Sequence, residues 1–243
     1  MRPHSKRGVT LFVLFSFLAA AVLAKDEPWK GKPYDQWDKK DVQRIFTDSP
    51  WARVVTVTRT WLPITGKDLP QDMISGGSRQ LSTQIEKSNE SSTGGELNIN
   101  VYWASSKVMR AAAARKSELF DGKKDVDAAK YASEPQEEYQ IVVQSTDMAP
   151  FIRHDEKSFQ ASATLQMKKN KVKLSPSHVH YERDATGALV TAAVFYFPKK
   201  TAVGAPTIAP DEKTAEFSCK LEGTVLQTSF DLQKMTDSAG PDL

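Results

Sequence analysis

Cysteine is nearly absent from this chain. Cys219 stands alone in 243 residues, so no intrachain disulfide can form. A chain of this size can build a sufficient core without covalent staples, so the absence is compatible with export. Nucleotide fingerprints are missing too. Neither Gly-x-x-x-x-Gly-Lys nor Gly-x-Gly-x-x-Gly occurs, and Ser75-Gly-Gly-Ser78 is not the Gly-x-Ser-x-Gly of a nucleophile elbow. No internal repeat and no heptad pattern is present, which argues against solenoids and coiled coils. An excess of one charge is missing once the first residues are set apart. The 33 basic and 30 acidic side chains give +3, but Arg2, Lys6 and Arg7 carry that excess and residues 1–24 hold no acid. A chain starting at Lys25 is formally neutral, and nucleic-acid binding loses its usual electrostatic support.

Residues 1–24 read as a signal peptide. The basic start is followed by an apolar run over 9–23, and Val22 and Ala24 fit the small-residue positions of a cleavage site after Ala24. The run is shorter than the ~20 apolar residues of a membrane span, and Lys25-Asp26-Glu27 comes directly after it. An uncleaved anchor is the competing reading. The expected location is periplasmic or secreted, without stable membrane insertion after cleavage.

The stretch 34–61 organises the rest of the chain. Asp38 is placed to cap a helix, Asp41 falls three residues later, and Trp37 and Val42 have the spacing of a hydrophobic staple. Pro50 ends that helix near Thr47. Trp51, Val55, Val57 and Trp61 then fall on one side of a strand, with Thr56, Thr58 and Thr60 on the other. Trp37, Trp51 and Trp61 are candidates for an aromatic ligand platform, for example for sugar rings. The competing reading makes them core plugs, since aromatics dominate core burial. This Tyr34-Asp-Gln-Trp37…Asp48-Ser-Pro-Trp51-Ala52 segment resembles one found in uncharacterised exported bacterial proteins. The resemblance covers under about a tenth of the chain and implies export, with no activity attached.

Residues 63–95 are rich in Gly and Ser and poor in apolar side chains, and read as a flexible insert. Leu97, Ile99, Val101 and Trp103 alternate with polar neighbours as a half-buried strand does. Ser105 or Ser106 is positioned to cap a helix with an apolar stripe of Val108, Met109, Ala112 and Ala113, closed by Gly122. Beyond it the pattern predicts a short helix over 125–132 and a strand over 139–145. Strand, helix, strand predicts a right-handed parallel crossover. Residues 155–167 predict a short helix passing into a strand near Thr164. Asp184-Ala-Thr-Gly187 and Glu222-Gly223 predict two hairpins, the second placing Cys219 opposite Leu226 on the buried face. The expected architecture is α+β: a mixed sheet with a parallel crossover in the N-terminal half, antiparallel hairpins in the C-terminal half, and helices on one face. One domain spans 25–236, and 237–243 form a disordered tail.

The chemical signal is His178-Val-His180-Tyr-Glu182. On a strand these three side chains share a face, and two imidazoles with a carboxylate are first-row metal ligand types. Polar alternation on a wet strand face is the competing reading. Cys219, between Phe217 and Leu221, reads as an inert buried thiol. The leading functional reading is an exported, non-catalytic binding or envelope-associated protein, with a protein or glycan of the cell envelope as partner and no cofactor. The alternative is a metal-dependent exported enzyme using His178, His180 and Glu182 on a divalent ion.

Overall fold

A computed structural model describes residues 27–62, 64, 95–122, 127–187 and 189–243. The expected signal peptide, and the expected insert apart from Ile64 and Gly95, lie outside them.

After a short α1 (Pro28–Gly31) and a 3-10 turn, α2 (Lys39–Thr47) begins at Asp38. The Asp41 N–H donates to the Asp38 carboxylate at 2.8 Å, and the Asp38 N–H donates to the Asp41 carboxylate at 3.3 Å. Two amides that helix geometry leaves unpaired are thereby satisfied. Val42 and Ile45 face inward, and Ser49 Oγ donates to the Ile45 carbonyl at 2.6 Å where the helix stops. Strand β1 (Ala52–Thr58) pairs antiparallel with β2 (Glu96–Trp103).

The next connection corrects the expected crossover. Helix α3 (Lys107–Asp121) starts at the Ser106 cap and ends at Gly122, whose φ of 67° suits a residue without Cβ. Helix α4 (Ala128–Ser133) then runs back. In the first turn of α3, Arg110 donates through Nη1 to the carbonyls of Ala132 and Glu134 at the end of α4. The chain therefore returns to where it left the sheet, and β3 (Glu138–Ser145) pairs antiparallel with β2, Trp103 opposite Ile141. A single helix would carry the chain to the far end of the sheet and allow a parallel pair; an out-and-back pair of helices does not. Every strand pair among the described residues is antiparallel, so the sheets are not mixed.

Helix α5 (Ala149–Arg153) and α6 (Glu156–Ser162) lead into β4 (Ala163–Met167) and the two-residue β5 (Lys173–Leu174). Strands β6 (His178–Arg183) and β7 (Val190–Pro198) form one hairpin, β8 (Thr214–Leu221) and β9 (Thr224–Asp231) another. Cys219 stands opposite Leu226, as the Glu222-Gly223 turn predicts. A five-stranded sheet ordered β1-β2-β3-β7-β6 lies against a four-stranded sheet ordered β5-β4-β8-β9. Aromatic rings interlock between them: Trp103 with Phe230 at 5.3 Å and Phe195 with Phe217 at 5.2 Å. Helices α2 and α3 cover part of the outer face of the larger sheet, where Phe46 meets Tyr102 edge-on. Helix α6 runs beside the free edge of β6, and its Glu156 accepts the Tyr181 N–H at 2.9 Å. That contact blunts an edge otherwise open to strand addition.

Residues 237–243, expected as a disordered tail, are packed. Thr236–Asp237 and Gly240–Pro241 form the short pair β10 and β11. The Asp242 carboxylate then accepts the N–H groups of Lys107 and Val108 at 2.7 and 3.0 Å. A carboxylate from a remote segment thus caps α3 beside its own Ser106, which takes the Met109 N–H.

A candidate ligand cleft on the outer sheet face

Pleating sends alternate residues of β3 to opposite sides. Tyr139, Ile141 and Val143 are buried against the smaller sheet, while Gln140, Val142 and Gln144 face outward. The register then sets rows across the outer face. Gln140, Tyr196 and His178 form one row; Tyr102, Val142, Val194 and His180 form the next; Ala192 beside Glu182 continues toward Gln144. Met109, Ala113 and Lys116 of α3, with Tyr131 of α4 and Phe46 of α2, wall these rows on one side. Together they enclose a cleft of about 350 Å³. That lies at the lower end of the ~300–1,000 Å³ usual for small-molecule sites.

The charges in the cleft balance, and its two cations are already engaged. Arg110 is buried, donates through Nη1 to the end of α4, and stacks over the Tyr131 ring with Cζ 4.5 Å from the centroid. Lys116 Nζ lies 5.2 Å from the centre of the Phe46 ring. The acids are Asp121 and Glu182. Burial raises the Tyr102 phenol above its ordinary value. Burial raises Tyr196 as well, helped by the nearby Glu182 and Glu138 carboxylates. Both phenols stay protonated near neutrality. Among the described residues, neither hydroxyl and no atom of the Gln144 amide has a protein hydrogen-bond partner.

The three tryptophans singled out in the sequence sit elsewhere. Trp37, Trp51 and Trp61 are buried and separately pinned. Trp37 Nε1 donates to the Pro28 and Lys32 carbonyls, Trp51 Nε1 to the Asp242 carbonyl at 2.7 Å, and Trp61 Nε1 to Asp147 at 3.0 Å. Asp147 also pairs with Arg59 at 2.6 Å, so Trp61 is fixed beside a buried ion pair.

His178, His180 and Glu182 share the outer face of β6, and each has its own neighbour. The His178 ring stacks on Tyr196 at 4.1 Å and takes part in a bond with the Ser177 hydroxyl. His180 Nδ1 lies 3.8 Å from Glu156, and Glu182 reaches the cleft. Among the described residues no three His, Cys, Asp or Glu side chains converge as a metal-binding group would.

A smaller hollow of about 190 Å³ lies where α5 and α6 meet the β8–β9 turn. Glu222 there stands 3.2 Å from His154 Nε2 and 3.3 Å from Arg153 Nη1. Ser158 donates its hydroxyl to Asp155 at 2.7 Å as part of the α6 cap, which directs it away from a nucleophile's role. Cys219 is fully buried, and burial pushes its thiol up, out of reach of thiolate chemistry near neutrality.

Of the cleft residues, the sequence marked only Glu182 as a candidate for function, with Met109 and Ala113 read as part of an apolar helix stripe. The available signals were weak: an arginine inside the apolar stripe of α3, and glutamines bracketing a valine on the strand face opposite buried Tyr139, Ile141 and Val143. Compared with known proteins, the chain matches no protein family, no curated protein and no solved structure.

Proposed function

We propose that this chain is an exported, non-catalytic binding protein of the periplasm or secreted fraction, and that its ligand occupies the cleft on the outer face of the five-stranded sheet. One observation carries the reading. The cleft combines aromatic rings and apolar floor residues with hydroxyl and amide groups that the described protein leaves without partners. Small-molecule sites are built this way, from apolar walls and a few convergent polar groups. The pattern of residues 1–24 supports export.

Saturation-transfer NMR of the mature protein against a panel of small sugars, amines, carboxylates and short peptides tests the cleft. Ala113 is an exposed α3 residue on the cleft wall, so Ala113→Trp fills the space without disturbing the core. Binding that disappears in Ala113→Trp supports the reading; binding that persists there places the site elsewhere. Mass spectrometry of the exported protein should find Lys25 first, and a product retaining residues 1–24 in the membrane fraction would refute export.

A further inference from the structure

We infer that the occupant of this cleft is a neutral sugar ring, an inference that rests on the binding reading above. Charge narrows the class first. The lining holds two bases, Arg110 and Lys116, and two acids, Asp121 and Glu182. An anionic ligand requires a cation with donors to give, but Arg110 Nη1 is spent on the Ala132 and Glu134 carbonyls, Nη2 lies 3.8 Å from the Glu134 carboxylate, its face is stacked on Tyr131, and Lys116 Nζ lies over the Phe46 ring. A cationic ligand meets the Tyr131 and Phe46 faces already occupied by Arg110 and Lys116, and like-charge repulsion from both. A neutral ligand meets neither obstacle.

The polar groups narrow it further. Tyr102, Tyr196 and Gln144 present hydroxyls and an amide that both donate and accept, the same duality a sugar hydroxyl has, and Gln140, whose Nε2 donates to Gln136 at 2.9 Å, still offers its amide oxygen and second N–H. The two phenols keep their protons because burial opposes ionisation. Their placement matches a ring. Val142 and Val194 stand opposite one another as the apolar centre of the middle row, which Tyr102 and His180 close at its ends, with Gln140 and Tyr196 in the row on one side and Gln144, Ala192 and Glu182 on the other. Successive outward positions on a strand are roughly 7 Å apart. An apolar strip flanked at that spacing by hydrogen-bonding groups suits the C–H face and hydroxyl rim of one pyranose. Glu182 adds a carboxylate able to accept from two hydroxyls.

The test is titration of the mature protein with glucose, galactose, mannose, N-acetylglucosamine and cellobiose, beside arms of acetate, inorganic phosphate and tetramethylammonium. At least one neutral sugar should bind, with saturation transfer strongest to the protons of one ring face. Ala113→Trp should abolish binding, and the double variant Gln140→Ala/Gln144→Ala should weaken it at least about tenfold by removing two polar partners. Affinity should stay within about twofold as salt is raised, because no ion pair is formed. Binding of acetate, phosphate or tetramethylammonium instead, lost in Ala113→Trp, would overturn the sugar assignment and leave the cleft standing. Silence of every arm, extended to an array of neutral glycans, would overturn both.

Discussion

On the inner face of the five-stranded sheet, Trp103, Ile141, Phe195 and Phe197 are fully buried, and their rings lock against Phe217 and Phe230 of the smaller sheet. On the outer face of the same strands, Tyr102, Gln140, Val142 and Tyr196 are only half-buried, and the helices cover part of them. Neighbouring residues of one strand thus serve opposite ends. The inner set gains stability through apolar area removed from water and tight ring contacts. The outer set keeps hydroxyls and amides available, which adds little to stability but is what recognition of a polar ligand needs. A core mutation should therefore be costly and a cleft mutation should be silent in the free protein.

The inner face gives the largest expected effect. Phe230 is fully buried against Trp103, and Arg53 lies over its ring with Cζ 5.5 Å from the centroid. Phe230→Ala should cost ~3–5 kcal/mol in urea unfolding, the range for emptying a buried aromatic site. Gln144→Ala, on the exposed outer face, should change stability by less than about 0.5 kcal/mol. Comparable losses at the two positions would erase the contrast between the faces.

The Asp242 clamp comes next, because it decides whether α3 stays in place as the cleft wall. Asp242→Ala removes acceptors from the Lys107 and Val108 amides and should cost ~1–3 kcal/mol, measured by the same unfolding. Burial holds the Asp242 carboxyl above its ordinary value of 3.8, outweighing the two amide bonds. The folded protein thus holds that proton more tightly than the unfolded chain does. As pH falls through the raised value toward 3.8, this group adds stability, and below 3.8 the gain is complete. Asp242→Ala should lose that acid-side gain.

Glu212 has the opposite sign. Burial alone would raise its carboxyl, but the N–H groups of Lys169, Thr214, Asn170 and Lys213 outweigh it and hold the carboxyl below the ordinary 4.5. Its contribution is present above 4.5 and is lost as pH falls below it toward the depressed value. In Glu212→Gln the melting temperature should fall at neutral pH and converge on wild type in acid. A constant gap between the two curves would mean that the carboxylate charge is not what ties the 168–170 turn to β8.

The elements visible in the sequence are those written by neighbours along the chain. Asp38 and Asp41 announced the α2 cap, Glu222-Gly223 fixed the register of Cys219 on Leu226, and alternation from Thr164 marked the passage from α6 to β4. The direction of β3 was hidden because it depends on Arg110 reaching across 24 residues to Glu134, which turns α4 back. The Asp242 clamp spans 134 residues to Val108, and no local pattern distinguishes it from a frayed tail. The cleft is hidden for the same reason. Its residues come from α2, α3, α4 and four strands, and only an all-antiparallel order sets Gln140 beside Tyr196.

The smallest effect is expected at the two histidines on the outer edge of that same face. His178 and His180 have side chains 53% and 62% exposed, and neither lies close enough to Glu138 or Glu156 for more than a weak, water-screened attraction. His178→Ala/His180→Ala should therefore shift stability by less than about 1 kcal/mol, most of it from the lost stacking on Tyr196. A divalent ion held by these imidazoles with Glu182 would bind only the folded state and raise the melting temperature with its concentration. Its binding would also weaken in acid, because metal binding to such ligands is coupled to proton release. Because each imidazole engages a different neighbour, the expected result is that zinc leaves the wild-type melting temperature unmoved. A zinc-dependent rise that vanishes in the double variant and fades in acid would make this edge a metal centre, and the outer face would then divide between a cleft and a catalytic rim.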